Sequence, residues 1–242
     1  MSHGNKDYFT SMSADYLYGS IDLAELAARL GAIAGIDRKG NVIWFDSFEA
    51  GAAQWNLYAV GPSSSIGLST QKSLSGGYSV ALTPGSNADN YAVIDRYHYL
   101  PPFCKWGFEC SVNASFYLSK FIFRVDVYEE AYTSMYAIQI DDVNYEVLYR
   151  DETGDFTPFA SFFRLQHGVP FWSRIKFVID PTAEEYVMCK INNKEFSMKG
   201  LKAYRGVASL PERLYIAIVL YNQAGHAVTH YIDNVIMTIN EY

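Results

Sequence analysis

From Val42 to its last residue the chain is a succession of short runs in which apolar and polar residues alternate with a period of two. Phe121, Phe123, Val125 and Val127 alternate with Ile122, Arg124, Asp126 and Tyr128. Ile175, Phe177 and Ile179 alternate with Arg174, Lys176 and Val178, and Tyr78, Val80 and Leu82 do the same behind Gly76-Gly77. A period of two places every second side chain on one face of a strand, whereas a helix needs 3.6. Turn formers bound the runs. Asp141-Asp142-Val143-Asn144 separates Met135–Ile140 from Tyr145–Tyr149, and Asn192-Asn193-Lys194 separates Val187–Ile191 from Glu195–Met198. Asn tolerates positive φ, so both pairs read as hairpins. Leu214 to Leu220 is apolar on both faces and is expected at the centre of a sheet. Short strands with regular turn signals give an all-β sandwich or barrel. No 20–50-residue repeat points to a propeller or solenoid.

The first forty residues differ. Residues 1–19 are polar, with scattered Tyr and no period. A helix is expected next, capped by Ser20 or Asp22, with Leu23, Leu26, Ala27 and Leu30 at helical spacing and Gly31 and Gly35 ending it. A helix this short needs a docking surface, so Leu23, Leu26 and Leu30 are the expected anchoring residues. The expected organisation is an arm and helix over 1–40, for anchoring and assembly, then one sandwich over 41–242.

Several function classes are disfavoured. The net charge is −7 with no Lys/Arg-rich run, where phosphate binding needs a basic footprint. No stretch of about 18 apolar residues predicts a membrane helix, and the N-terminus lacks the apolar core of a secretory signal. Cys104, Cys110 and Cys189 are odd in number and widely spaced, which predicts free, buried thiols and a reducing compartment. Motifs for zinc hydrolysis, nucleophile elbows and phosphate loops are missing.

A family resemblance enters through three blocks. Phe45-Asp-Ser-Phe-Glu-Ala-Gly51 followed by Trp55 resembles the opening strand of jelly-roll carbohydrate-binding modules. Ser73-Leu-Ser-Gly-Gly77 before the Tyr78–Leu82 strand resembles their second block, and Tyr231-Ile-Asp-Asn-Val235 their closing strand. The block Trp172 to Asp180, with Tyr186 and Asn192-Asn193, is similar to concanavalin-A-like and laminin-G-like sandwiches. The resemblance implies an antiparallel jelly-roll β-sandwich. It also implies a structural calcium between first and last strands, held by Glu49 and Asp233 with Asp46 close by, because calcium takes hard oxygen ligands. With the helical leader, the chain also looks like tailed-phage virion proteins in which a sandwich follows an assembly arm.

That resemblance sets the functional expectation. The chain is read as a non-catalytic virion structural protein, a capsid- or tail-associated decoration assembled in the host cytoplasm. Its partners would be other virion proteins and further copies of itself, with no nucleic acid and no membrane. The alternative is a carbohydrate-binding module for polysaccharide, using aromatic rings against pyranose faces. Tyr91, Tyr97, Tyr136 and Tyr221, together with Tyr149, are its candidate residues. A glycosidase ranks last. It needs two carboxylates across a cleft, and Asp126 with Glu129-Glu130 reads more simply as a solvated strand end. His226 and His230 are the only histidines with a spacing reminiscent of a metal pair, and a turn–strand junction is a poor place for one.

Overall fold

The computed structural model describes residues 39–168 and 170–242. The expected helix and its anchoring residues Leu23, Leu26 and Leu30 lie outside them.

Sixteen strands follow one another in these residues: β1 Asn41–Asp46, β2 Asn56–Ala59, β3 Ser65–Ser69, β4 Ser79–Thr83, β5 Tyr91–His98, β6 Trp106–Asn113, β7 Leu118–Glu129, β8 Tyr132–Asp141, β9 Glu146–Arg150, β10 Phe156–Ser161, β11 Ser173–Asp180, β12 Glu185–Ile191, β13 Lys194–Ser197, β14 Tyr204–Val207, β15 Arg213–Asn222 and β16 His230–Ile239. They form two sheets. The first runs β13-β12-β11-β6-β16-β4-β3, with β1 also on β16. The second runs β10-β9-β8-β7-β15-β5-β2, with β14 on β8. All pairings between these strands are antiparallel. This is the all-β, antiparallel two-sheet sandwich expected of the alternating pattern.

The apolar alternates meet between the sheets. Phe121, Phe123, Val125 and Val127 of β7 are fully buried, as are Phe177 and Ile175 of β11. Phe123 and Phe177 make an edge-to-face contact across the sandwich, with centroids 5.2 Å apart and planes at 87°. Each such ring contributes about 1.5–3 kcal/mol by leaving water. β15 lies between β7 and β5, the central place its two apolar faces predicted. Asn192 turns the β12–β13 hairpin with φ of 54°. Three strands were not legible in advance. β3, β10 and β14 are short and carry Ser, Gly, Pro or Arg, so they exist through pairing with a neighbour and not through their own pattern.

β16 changes partners midway. His230–Ile232 pair with β4, and Val235–Ile239 pair with β1. Between them Asn234 takes a positive φ of 51°, and the register on β6 shifts between Asp233 and Ile236. A bulge here frees Asp233 from the ladder and aims its carboxylate at the loop before β4. The three cysteines are free; Cys110 and Cys189 are buried, and burial raises the pKa of both thiols.

Candidate functional site

Two places gather the residues singled out by sequence. The first is the outer face of the second sheet. On β5, Ala92 and Ile94 point to the core, so Tyr91, Val93, Asp95 and Tyr97 face outward. On β15, Leu214, Ile216, Ile218 and Leu220 point inward, which turns Arg213, Tyr215 and Tyr221 out. On β7 the outward set is Ile122, Arg124, Asp126 and Tyr128. Register then stacks like on like: Tyr97 lies beside Tyr215, which lies beside Asp126, while Tyr91 lies beside Tyr221.

The result is two tyrosine clusters on one sheet face. At one end Tyr58, Tyr91 and Tyr221 follow one another at 6.0 and 5.8 Å. At the other, Tyr97 and Tyr215 are 5.1 Å apart. The Arg213 guanidinium lies 4.3 Å from the Tyr97 ring centre and 5.2 Å from that of Tyr128. Cation–π contact of this kind fixes the planes of both partners. Tyr58 is 56% and Tyr97 46% exposed; Tyr91, Tyr128, Tyr215 and Tyr221 are half-buried. Between the clusters, Asn56 donates from Nδ2 to Asp95 Oδ2 at 2.8 Å. Burial and then the Asp126 charge push the Tyr128 phenol up to about 12, and burial also raises Tyr215 and Tyr221. These rings therefore stay neutral phenols at ordinary pH, suited to stacking and to donating hydrogen bonds.

Asp126 is the buried acid of this face. It is not the solvated strand end that the neighbouring Glu129-Glu130 suggested. Arg124, two residues away and so on the same face, donates to both its oxygens from Nε at 2.8 Å and from Nη2 at 2.6 Å. Tyr128 Oη adds a 3.3 Å bond. Burial opposes the Arg124 charge, but this pairing outweighs it and the guanidinium pKa rises. A carboxylate held by three donors is a structural strut and not a free base.

Of the sequence candidates, Tyr91, Tyr97 and Tyr221 share this surface. Tyr136 does not. It is fully buried on the inner side of β8, edge-to-face with Tyr186 at 5.3 Å. Tyr149 packs against Tyr186 and Phe159. Tyr58, Tyr128 and Tyr215 belong to the face and were missed; for Tyr128 and Tyr215 the parity against the buried alternates of β7 and β15 carried the signal, whereas the short β2 offers none for Tyr58.

The second place is the seam between the first and last strands. Asp233 Oδ2 accepts from the Leu74 and Ser75 N–H groups at 2.7 and 3.1 Å, and Oδ1 accepts from Asn234 N–H at 2.7 Å. Glu49 Oε1 accepts from Gly77 and Tyr78 N–H at 2.9 and 2.8 Å. Gly76 has φ of 63°, and a side chain there would strike the Glu49 carboxyl, so this turn requires glycine twice over. Burial, opposed by those N–H donors and reinforced by the Glu49 charge, raises Asp233 to about 6. The residual repulsion between the two carboxylates is what a hard cation would relieve. Glu49 and Asp233 thus supply two oxygen-donor groups to one loop. Asp46 does not join them: it takes the Phe48 N–H at 2.7 Å and the Trp55 Nε1–H at 2.9 Å. Among the described residues no group of three or more His, Cys, Asp or Glu is placed to hold a metal, so backbone oxygens would complete any such site.

The histidines do other work. His226 stacks on Tyr117 at 3.7 Å. His230 is buried, accepting from Ser115 N–H at Nδ1 (3.0 Å) and paired through Nε2 with Asn222 Oδ1 (2.7 Å). His167 Nε2 lies 2.9 Å from Asp142 Oδ2, beside Arg164.

This geometry defines a jelly-roll sandwich presenting an aromatic sheet face. Comparison with solved structures gives the same class. One is a conserved carbohydrate esterase from the Shiga toxin-encoding bacteriophage phi24B (TM-score 0.52, 14% identity, 83% of this chain and 99% of that one). Another is the carbohydrate recognition domain of Emp46p in its potassium-bound form (0.50, 14%, 80% and 92%). A sialidase matches at 0.51 and 11% identity over 84% of this chain, which spans 19% of the sialidase's length. At these identities the likeness establishes the shared sandwich fold. No family model matches the sequence, and no curated protein matches it.

Proposed function

We propose that this chain is a non-catalytic glycan-binding sandwich and that the tyrosine face of the second sheet is its binding surface. The observation that carries the reading is the pair of half-exposed tyrosine clusters on one sheet face, with Asn56 and Asp95 between them. Pyranose rings stack on such phenols, and the amide and carboxylate serve the hydroxyls. The acid–base candidates do not support catalysis as well. Asp126 is saturated, and the His167–Asp142 pair, with side chains 5% and 0% exposed, has no serine or cysteine hydrogen-bonded to the imidazole among the described residues. A glycan array is expected to give binding. Tyr91→Ala and Tyr221→Ala should each weaken it about tenfold, or ~1.4 kcal/mol, with melting temperatures held within a few degrees. A blank array over plant, bacterial and host glycans would defeat the reading, and hydrolysis abolished by one carboxylate substitution would replace it with an enzyme.

In a virion setting residues 1–40 would tether the sandwich to a capsid or tail lattice, and the glycan would be a surface polysaccharide. The similar fold of a phage protein covered almost end to end supports this second layer of the reading. Residues 1–40 deleted, the chain should still bind glycan but no longer co-sediment with particles.

Calcium at the seam would use Glu49 and Asp233 without Asp46, and would supply charge neutralisation only. Adding calcium at pH 7 is expected to raise the melting temperature by several degrees. The effect should shrink at pH 5, where Asp233 is protonated, and vanish in Glu49→Gln. No shift at pH 7 would mean that the N–H donors alone close the seam.

A further inference from the structure

One stretch of chain supplies an edge to each sheet. β2 ends the second sheet and β3 the first, they are neighbours on one side of the sandwich, and a turn from Gly61 to Ser64 joins them. An edge strand aims a row of N–H and C=O groups away from its sheet, and folded chains guard such rows with charge, proline or a bulge. The other edges among the described residues are guarded. β13 carries Lys194 and Glu195, and β14 carries Arg205. β10 has Pro158 and a register shift beside it, while β1 has Asp46 and a shift between Val42 and Trp44. Phe196 also closes the β10–β13 side, its ring 5.7 Å from Phe159 and 6.2 Å from Phe163. β2 and β3 have neither charge nor proline nor bulge. Residues 50–71, which hold both, include no Asp, Glu, Lys, Arg or His.

Apolar surface follows the same edge. Leu57 opposes Ile94 and Leu68 opposes Val80, so both leucines share the inward parity of core residues. Yet Leu57 is 36% and Leu68 40% exposed. Gly67, between Ile66 and Leu68, is not required by the single chain. It is absent from the positive-φ glycines, and among the described residues a Cβ there would meet nothing within 4 Å. A glycine inside a strand weakens it and is a sign of close approach by another backbone. The five residues Ser65-Ile-Gly-Leu-Ser69 also read alike in both directions: Ser, aliphatic, Gly, aliphatic, Ser. Antiparallel pairing of β3 with its own copy about Gly67 sets Ser65 beside Ser69, Ile66 beside Leu68 and Gly67 beside Gly67. Every pair keeps its parity, so the apolar residues meet one another. Charge favours the same contact. A two-fold interface sets one patch against the identical patch, and in a chain of net charge −7 an uncharged patch meets itself without repulsion.

We propose that this chain forms a two-fold dimer by pairing β3 with β3 of a second copy, so that the first sheet runs unbroken through both. The axis of such an antiparallel pair stands perpendicular to the sheet. Both tyrosine faces therefore look the same way, and a polymer spanning the two would bind with avidity. Five paired residues span about 17 Å. The contact lies at the small end of specific interfaces, below roughly 1,200 Å², so dissociation is expected in the micromolar range.

Sedimentation equilibrium of the full chain over a concentration series tests this. The mass is expected to rise from that of one chain toward that of two. Gly67→Glu sets two carboxylates face to face across the axis and should weaken dimerisation about tenfold or more, as like charges brought together in an interface do. Gly67→Lys should do the same. An equimolar mixture of the two variants should dimerise again through a Glu–Lys pair. If either variant does not fold, Ser65→Glu mixed with Ser69→Lys takes its place, since these positions meet across the seam; that mixture should dimerise more tightly than wild type. A monomer at every concentration would overturn the dimer and leave this edge to a strand from another protein. A dimer unmoved by both Gly67 substitutions would place the seam elsewhere and overturn it equally. So would charge-swapped mixtures that gain nothing over the separate variants, because the substitutions would then act within one chain.

Discussion

Glu241→Ala is expected to lower the unfolding free energy by about 3–5 kcal/mol, the range for removing one partner of a buried ion pair. Glu241 Oε1 lies 2.7 Å from Lys176 Nζ, with the two side chains 1% and 3% exposed. The same oxygen accepts from Thr238 Oγ1 at 2.5 Å, and the Glu241 N–H donates to the Lys105 carbonyl at 3.2 Å. Lys176 sits on β11 and Thr238 on β16, so one carboxylate locks the C-terminus across the first sheet. Gly107 lies beneath it because any side chain there would meet Thr238 and Glu241. Without the carboxylate, the buried ammonium would keep its 3.3 Å bond to the Lys39 carbonyl but lose its 2.7 Å carboxylate partner. The double substitution Lys176→Met with Glu241→Leu should recover most of the loss, since the charges leave together. Urea unfolding of the two single variants and the double checks this. A loss below 1 kcal/mol in Glu241→Ala would show that the pair contributes nothing net.

The second large effect is acid lability through His230. Its Nδ1 accepts from Ser115 N–H, so Nε2 carries the proton and donates to Asn222 Oδ1. Asn222 in turn donates to the Pro84 and Val228 carbonyls, and Ser115 Oγ to the Thr229 carbonyl. One imidazole thereby ties three loops at one end of the sandwich. A second proton on Nδ1 would point N–H against N–H. Burial, then the charges of His167 and Lys72, take its pKa down to about 3. The unfolded chain therefore binds a proton that the folded one refuses, and stability falls as pH drops from about 6.5 toward 3, by on the order of 4 kcal/mol. His98, brought to about 4 by burial and Arg96, acts in the same direction. Asp233, raised to about 6, acts oppositely: its protonated form favours the fold below pH 4, and that contribution is lost as pH rises to 6. The histidines outweigh it, so the net slope is acid-labile. His230→Gln, whose amide can still donate to Asn222, should flatten the profile between pH 6.5 and 4. A wild-type profile flat over that interval, or a glutamine variant as steep as wild type, would contradict the assignment.

Part of the candidate site is readable in the sequence alone. Tyr91 and Tyr97 alternate with Ala92 and Ile94, and Tyr221 follows the apolar Leu220, so parity alone turned them outward. Tyr136 was misplaced because Met135, Tyr136, Ala137 and Ile138 are apolar at both parities, and alternation then says nothing about which side is in. Asp126 looked solvated beside Glu129-Glu130, yet Arg124 two residues earlier already shared its face.

The order of polar and apolar residues by itself determined that this chain builds antiparallel sheets, where its main hairpins turn, and which alternates form the core. Those are properties of neighbours along a strand, set by a period of two and by the φ preferences of Asn and Gly. Only the tertiary structure decided which strands lie side by side. Register across β5, β15 and β7 lines the tyrosines into one surface, and the bulge in β16 turns Asp233 to the seam. Each depends on the meeting of distant segments, which local periodicity does not encode.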